Sequence, residues 1–271
     1  MQAPIMLTLE TSSLSAKLDS GKGSMSLAEL PKFAVEETGL RGLAVAASLL
    51  AGRSAIELDQ FRDAADKVGC PCLSLTDPTP LSLAGGSNGD AEASLDRVKR
   101  LAAAAARLGC SSLAIVSDAP KGCDLDAVAM GIRAAVQAIE RHELNLLLTP
   151  SDRGELSTAE GLIELIRRVG GFRIGCMPTF AHAAGTVDPN ETLRRLAPYA
   201  GAMIGDLDAT SPRRGGPDLQ LLATWVRTVR TVGFASTLAL GSKARDAVAR
   251  ISAARDHLET AAAAGDEDEA E

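Results

Sequence analysis

Five times along this chain a glycine closes a helical stretch and an apolar run follows within a few residues: ETGLRGLAV, KVGCPCLSL, RLGCSSLAIV, RVGGFRIGC and TVGFASTLAL. Glycine reaches the left-handed conformation that ends a helix at no steric cost, so each instance reads as a helix handing over to a strand. Together with the remaining apolar runs, they predict strands beginning near residues 5, 42, 72, 112, 144, 172, 202 and 235. Eight units of this spacing match a closed α/β fold, the single-domain (β/α)8 TIM barrel, and 271 residues are enough for one. An open doubly wound sheet is the alternative. Against it, no G-x-G-x-x-G follows the first strand and no Walker-type glycine loop is present.

Helix starts are written as plainly as the stops. Ser26 to Glu29, Ser54 to Glu57 and Ser157 to Glu160 have the spacing of a capping box, in which the hydroxyl and the carboxylate satisfy free N–H groups at a helix start. Asp188 followed by Pro189 offers a capping carboxylate with proline in the first turn. Between the first strand and Ser26, the polar segment TSSLSAKLDSGKGSMS is predicted as loop. In DRVKRLAAAAARLGC, Val98, Leu101, Ala105 and Leu108 recur three and four apart, which leaves Arg97, Lys99 and Arg100 for solvent. The last helix is predicted from about Ala244 through Val248, Ile251 and Leu258. No linker divides the chain, so the barrel is assigned to residues 1–264 and the acidic run 265–271 is expected to be a disordered tail.

A formal charge of −7 and an aromatic content of 3% argue against a nucleic-acid partner, which needs phosphate contacts and stacking faces. Cys70, Cys72, Cys110, Cys123 and Cys176 form no C-x-x-C pair and have no histidine at a zinc-ligand spacing, so they read as buried apolar residues in a reducing cytoplasm. The N-terminus carries neither a basic leader nor a long apolar run, and no membrane partner is expected.

Three segments, ELNLLLTPSDRGE, FRIGCMPTFAH and GAMIGDLDA, resemble strands five, six and seven of the xylose isomerase-like barrel family, the sugar-phosphate isomerases and epimerases. The most specific stretch is FAHAAGTVDPNETLRRLAPYAGAMIGDLDA, with its histidine, Asp-Pro helix start and strand-seven aspartate. The resemblance implies a divalent metal held by Glu, Asp, His and Glu at the ends of strands five to eight. The matching positions here are Thr149, Thr179, Gly205 and one of Ala239, Leu240 and Gly241, which carry neither carboxylate nor imidazole. A hard cation needs such oxygen donors, so no metal ligand is assigned and no cofactor is expected. By the same resemblance, His182 and Glu155 match substrate-contacting positions of related epimerases and are the candidate catalytic residues.

In a (β/α)8 barrel the loops after the strands form the functional mouth. Glu10, Asp77, Asp118, Asp152, Arg153, His182, Asp206, Asp208, Arg213, Arg214 and the Gly241-Ser242-Lys243 turn are all expected there. Asp152, Arg153, Asp208, Arg213, Arg214, Ser242 and Lys243 are the candidate ligand-binding residues. Arginines together with N–H groups at a helix start suit an anion such as a sugar phosphate. The first reading is a divergent member of the family without its usual metal, binding a small sugar-like or phosphorylated ligand or serving a non-catalytic role. A second is an active isomerase, epimerase or lyase with ligands moved, for example, to Glu10, Asp77, Asp118, Asp206 and His182. A third is a protein-interaction scaffold. Whether the chain forms a homodimer stays open.

Overall fold

A computed structural model describes residues 5–18, 25–84, 88–211 and 216–268. Its strands are β1 (Met6–Glu10), β2 (Leu43–Ala46), β3 (Cys72–Leu81), β4 (Ser112–Ser117), β5 (Asn145–Leu148), β6 (Ile174–Cys176), β7 (Ala202–Asp206) and β8 (Thr237–Gly241). Each begins within two residues of its position expected from the sequence. They form one parallel sheet in the order β6-β5-β4-β3-β2-β1-β8-β7, with β1 joined to β8 from Met6↔Thr237 to Leu9↔Leu240.

The seam between β6 and β7 is the weakest join. It is closed by isolated bridges, Cys176↔Ala200 and Thr179↔Ile204, with N–H donation from Gly201 to the Cys176 carbonyl and from Ile204 to the Pro178 carbonyl, both at 3.0 Å. Pro178 has no N–H to give, which shortens the ladder there. At Gly175 a Cβ would stand 2.8 Å from the Tyr199 carbonyl oxygen, so the close approach across the seam needs glycine.

Around the sheet run α1 (Ser15–Leu18), α2 (Leu30–Phe33), α3 (Ala55–Lys67), α4 (Asn88–Leu108), α5 (Leu125–Ile139), α6 (Ala159–Val169), α7 (Phe180–Ala184), α8 (Pro189–Leu196), α9 (Leu219–Thr231) and α10 (Ala247–Asp268). No described helix is long and apolar enough to cross a membrane. The helix backbone of α10 continues through residue 268, and 269–271 lie outside the described residues. The helix begun by α2 ends at Gly39, whose φ of 69° is left-handed and where a Cβ would collide with the Arg255 guanidinium.

Three local expectations are corrected. The segment after β1 is not all loop: a 3-10 turn, Thr11–Leu14, leads into α1, because the Glu10 carboxylate accepts the Ser12 N–H and Leu14 is buried. The helix expected to start at Ser157 is capped by Thr158, whose hydroxyl accepts the Gly161 N–H, while Ser157 turns back to the Gly154 carbonyl. In α4 the buried stripe is Val98, Ala102, Ala105 and Leu108, with Leu101 only half-buried.

Along the strands, side chains alternate between two apolar regions. Leu9, Leu75, Leu113, Ile115, Leu146, Leu148, Met203, Leu238 and Leu240 belong to the large core that includes the buried helix faces. Ala114, Leu147, Met177 and Ala202 form a second, small cluster with Ile204 packed on it, inside the barrel. By this alternation Thr8 and Glu10, Ile204 and Asp206, and Ala239 and Gly241 face inward.

Four of the five cysteines are buried, Cys123 is half-buried, and all five are free. Burial pushes the thiols up, to about 11 at Cys70 and about 12 at Cys110, so they are poor nucleophiles at neutral pH.

Candidate functional site: the barrel mouth

Glu10 and Asp206 end β1 and β7, on either side of β8. Asp206 is the register partner of Gly241, and a Cβ on Gly241 would lie 3.1 Å from the Glu10 Cβ and 3.2 Å from its Oε2. The bare backbone at 241 therefore gives the Glu10 carboxylate its room. Burial raises the Glu10 pKa, and the negative charge of Asp206 raises it further against hydrogen bonds from Ser12 and Ser13. Burial likewise raises Asp206, partly offset by the Ala181 N–H at 3.1 Å and by Lys243. Two neighbouring carboxylates, Glu10 buried and Asp206 half-buried, resist double ionisation.

His182 lies on α7, begun by Thr179, whose hydroxyl accepts the His182 backbone N–H at 3.0 Å. The imidazole Nε2 is buried and has no hydrogen-bond partner in the structure. Burial lowers the His182 pKa against the opposing pull of Asp152, which favours a neutral ring. Phe180, fully buried on the same short helix, packs edge-on against Trp225 with ring centroids 5.3 Å apart.

Asp208 sits on the turn after β7 and caps the turn after β8: its Oδ1 accepts the Ser242 hydroxyl at 2.8 Å and its Oδ2 the Lys243 N–H at 2.6 Å. Arg213 and Arg214 lie outside the described residues. Glu155 is turned to the neighbouring loop, where its carboxylate accepts the Gly122 N–H at 2.6 Å and its own N–H reaches the Ala119 carbonyl at 2.8 Å. Asp152, Arg153 and Asp118 are exposed at the rim.

Two expectations about direction are revised. Asp77 lies within β3 rather than after it, on the outward face shared with Leu75, and Arg97 of α4 binds it at 2.7 and 3.1 Å. Arg97, assigned to solvent from the sequence, is thereby that carboxylate's partner. Gly205, matched to a histidine ligand in the sequence comparison, faces outward, since a Cβ there would meet Leu240 and Leu238. The inward residue ending β7 is Asp206. Ser12 and Ser13 were missed. Ser13 accepts the Ser242 N–H at 2.9 Å, and its only trace in the sequence is the hydroxyl run directly after a strand-ending glutamate.

The donors present do not fit the family's divalent ion. Thr149 and Thr179 are neutral, the Thr179 hydroxyl already caps α7, Gly205 faces away, and no group of three or more His, Cys, Asp or Glu among the described residues could hold a metal. The five side chains of the relocated set do not converge as a whole either, because Asp77 is paired outside the barrel and Asp118 is exposed.

Comparison with known proteins agrees with this frame. No curated protein sequence matches significantly. Among solved structures, an L-ribulose 3-epimerase superposes with a TM-score of 0.77 at 15% identity, covering 97% of each chain. A D-psicose 3-epimerase from Clostridium cellulolyticum H10 gives 0.71 at 13% identity, covering 94% of this chain and 99% of the other. A probable 3-DHS dehydratase from Bacillus anthracis gives 0.72 at 15%, covering 94% and 99%. At such identities the likeness concerns the fold. The family model described as xylose isomerase-like TIM barrel matches residues 33–259, and with that match the chain belongs to the xylose isomerase-like TIM barrel family.

Proposed function

We propose that this protein binds a small, polar, sugar-like ligand in the barrel mouth through hydrogen bonds to Glu10, Asp206 and His182, without a divalent metal. The observation that carries this reading is the inward placement of Glu10 and Asp206 on either side of the bare Gly241 backbone. Carboxylates accept from sugar hydroxyls, and charge-assisted bonds of this kind are the strong ones. A ligand hydroxyl would also give the buried His182 Nε2 the partner it lacks. The free, buried thiols support a reducing, cytoplasmic setting.

A second reading, metal-independent proton transfer by an isomerase, epimerase or lyase, is favoured by the same carboxylate pair. If Glu10 and Asp206 share one proton, one can donate as the other accepts on a substrate lying between them. Calorimetric titration of L-ribulose and D-tagatose, with and without prior chelator dialysis, tests the binding reading. The expected result is equal affinity in both samples, weakened about tenfold or more by Glu10→Gln or Asp206→Asn. Binding that disappears after chelation, or no binding of either sugar, would overturn it.

A further inference from the structure

We infer that Asp208 occupies an oxyanion cradle in the mouth and so selects an unphosphorylated ligand over its phosphate ester. The inference deepens the ligand-binding reading above and rests on it. In (β/α)8 barrels, the loops after the seventh and eighth strands commonly receive phosphate through backbone N–H groups and hydroxyls. The Gly241-Ser242-Lys243 turn presents such groups, and both are already donated to one carboxylate, the Ser242 hydroxyl at 2.8 Å and the Lys243 N–H at 2.6 Å. Arg250 of α10 stands 3.5 Å from the same Oδ1.

The receptor is held from behind. The Ser242 N–H is fixed on the Ser13 hydroxyl at 2.9 Å, its Oγ accepts the Ala244 N–H at 3.2 Å, and the residue is 4% exposed. The carboxylate is delivered by a short 3-10 turn, Leu207–Thr210, that is buried at both ends and closed by the Thr210 hydroxyl on the Leu207 carbonyl at 2.9 Å. An incoming phosphate would meet donors already in use and a fixed negative charge, with Asp206 close by. Like-charge juxtaposition of this kind strongly disfavours a partner. A neutral polyol meets no such obstacle, because its hydroxyls donate to the carboxylates that repel phosphate.

The test titrates inorganic phosphate into the full chain against chloride at matched ionic strength. The wild type should show no phosphate-specific binding, and Asp208→Ala should bind phosphate about tenfold or more tightly than the wild type. Adding Ser242→Ala should remove that gain. Wild-type binding of phosphate that Asp208→Ala leaves unchanged or weakens would overturn the inference. Should Asp208→Ala fail to fold, Asp208→Asn keeps the shape and removes the charge, and a smaller gain is expected. A third arm needs no variant: D-fructose 6-phosphate binding the wild type more tightly than D-fructose would also overturn the assignment. If neither sugar binds while Asp208→Ala still gains phosphate, the ligand-binding reading fails and the cradle assignment stands.

Discussion

Across the β6–β7 seam from the carboxylates that end β7 and β1, the ends of β6 and β5 carry Thr179 and Thr149, and the two adjoining arcs differ in what holds them. On the β1, β8 and β7 side, Glu10 gathers Ser12 and Ser13, Asp206 gathers the Ala181 N–H, and Asp208 gathers Ser242 and Lys243. On the β6 side, the His182 imidazole has no partner for its Nε2, and its short helix is held by apolar packing at Phe180 together with the Ala181 N–H on Asp206. Negative charge is thus concentrated where the chain can solvate it with its own donors. It is missing where the family pattern would place two of its metal ligands.

If packing anchors the His182 arc, Phe180→Ala should cost about 3–5 kcal/mol in urea unfolding, the largest effect expected here. A loss under about 1 kcal/mol would mean that the helix is held some other way. Outside the mouth, Arg97→Ala leaves the buried Asp77 carboxylate without its guanidinium. It should cost about 2 kcal/mol, a control showing that β3 contributes to stability and not to the site.

The arcs also differ in their response to pH. The folded state raises the Glu10 and Asp206 pKa values, so it binds more protons than the unfolded chain. Their contribution is present below the ordinary values of 4.5 and 3.8 and is lost as pH rises through the raised folded values. His182 is lowered, so its contribution is present above the ordinary 6.5 and is lost as pH falls through the folded value. Urea midpoints measured against pH should therefore lose their alkaline-going decline in Glu10→Gln or Asp206→Asn, and their decline as pH falls below the ordinary 6.5 of histidine should lessen in His182→Gln. Unchanged profiles in all three would mean that the arcs are not electrostatically distinct. At the small end, Thr158→Ala should cost about 1 kcal/mol and Ser157→Ala under about 0.5, which separates the true cap from its neighbour.

The barrel was legible because its punctuation is local. A glycine such as Gly39 ends a helix wherever it stands, and an apolar run of strand length follows, so strand starts fell within two residues. Side-chain direction at strand ends was not legible, since it depends on register, and a shift of one residue reverses it. That is why Asp77 was placed in the mouth and found on Arg97, and why Gly205 was matched to a ligand although Asp206 is the inward residue. Ser157 and Thr158 offer adjacent hydroxyls. The choice between them follows from the turn at Gly154, where φ is 85° and a Cβ would stand 2.2 Å from the Ala119 carbonyl oxygen. The capture of the Ser242 turn by Asp208 joins residues 34 apart and leaves no sequence motif.

The central claim, a sugar-binding mouth that works without a divalent ion, is tested most directly by elemental analysis of protein purified without chelator. The account expects manganese, zinc, cobalt and magnesium far below one per chain, because Thr149 and Thr179 are neutral and no group of three or more His, Cys, Asp or Glu among the described residues could hold a metal. Near-stoichiometric metal, lost on Asp206→Asn or His182→Ala, would contradict it and place the ion among the residues here assigned to the ligand.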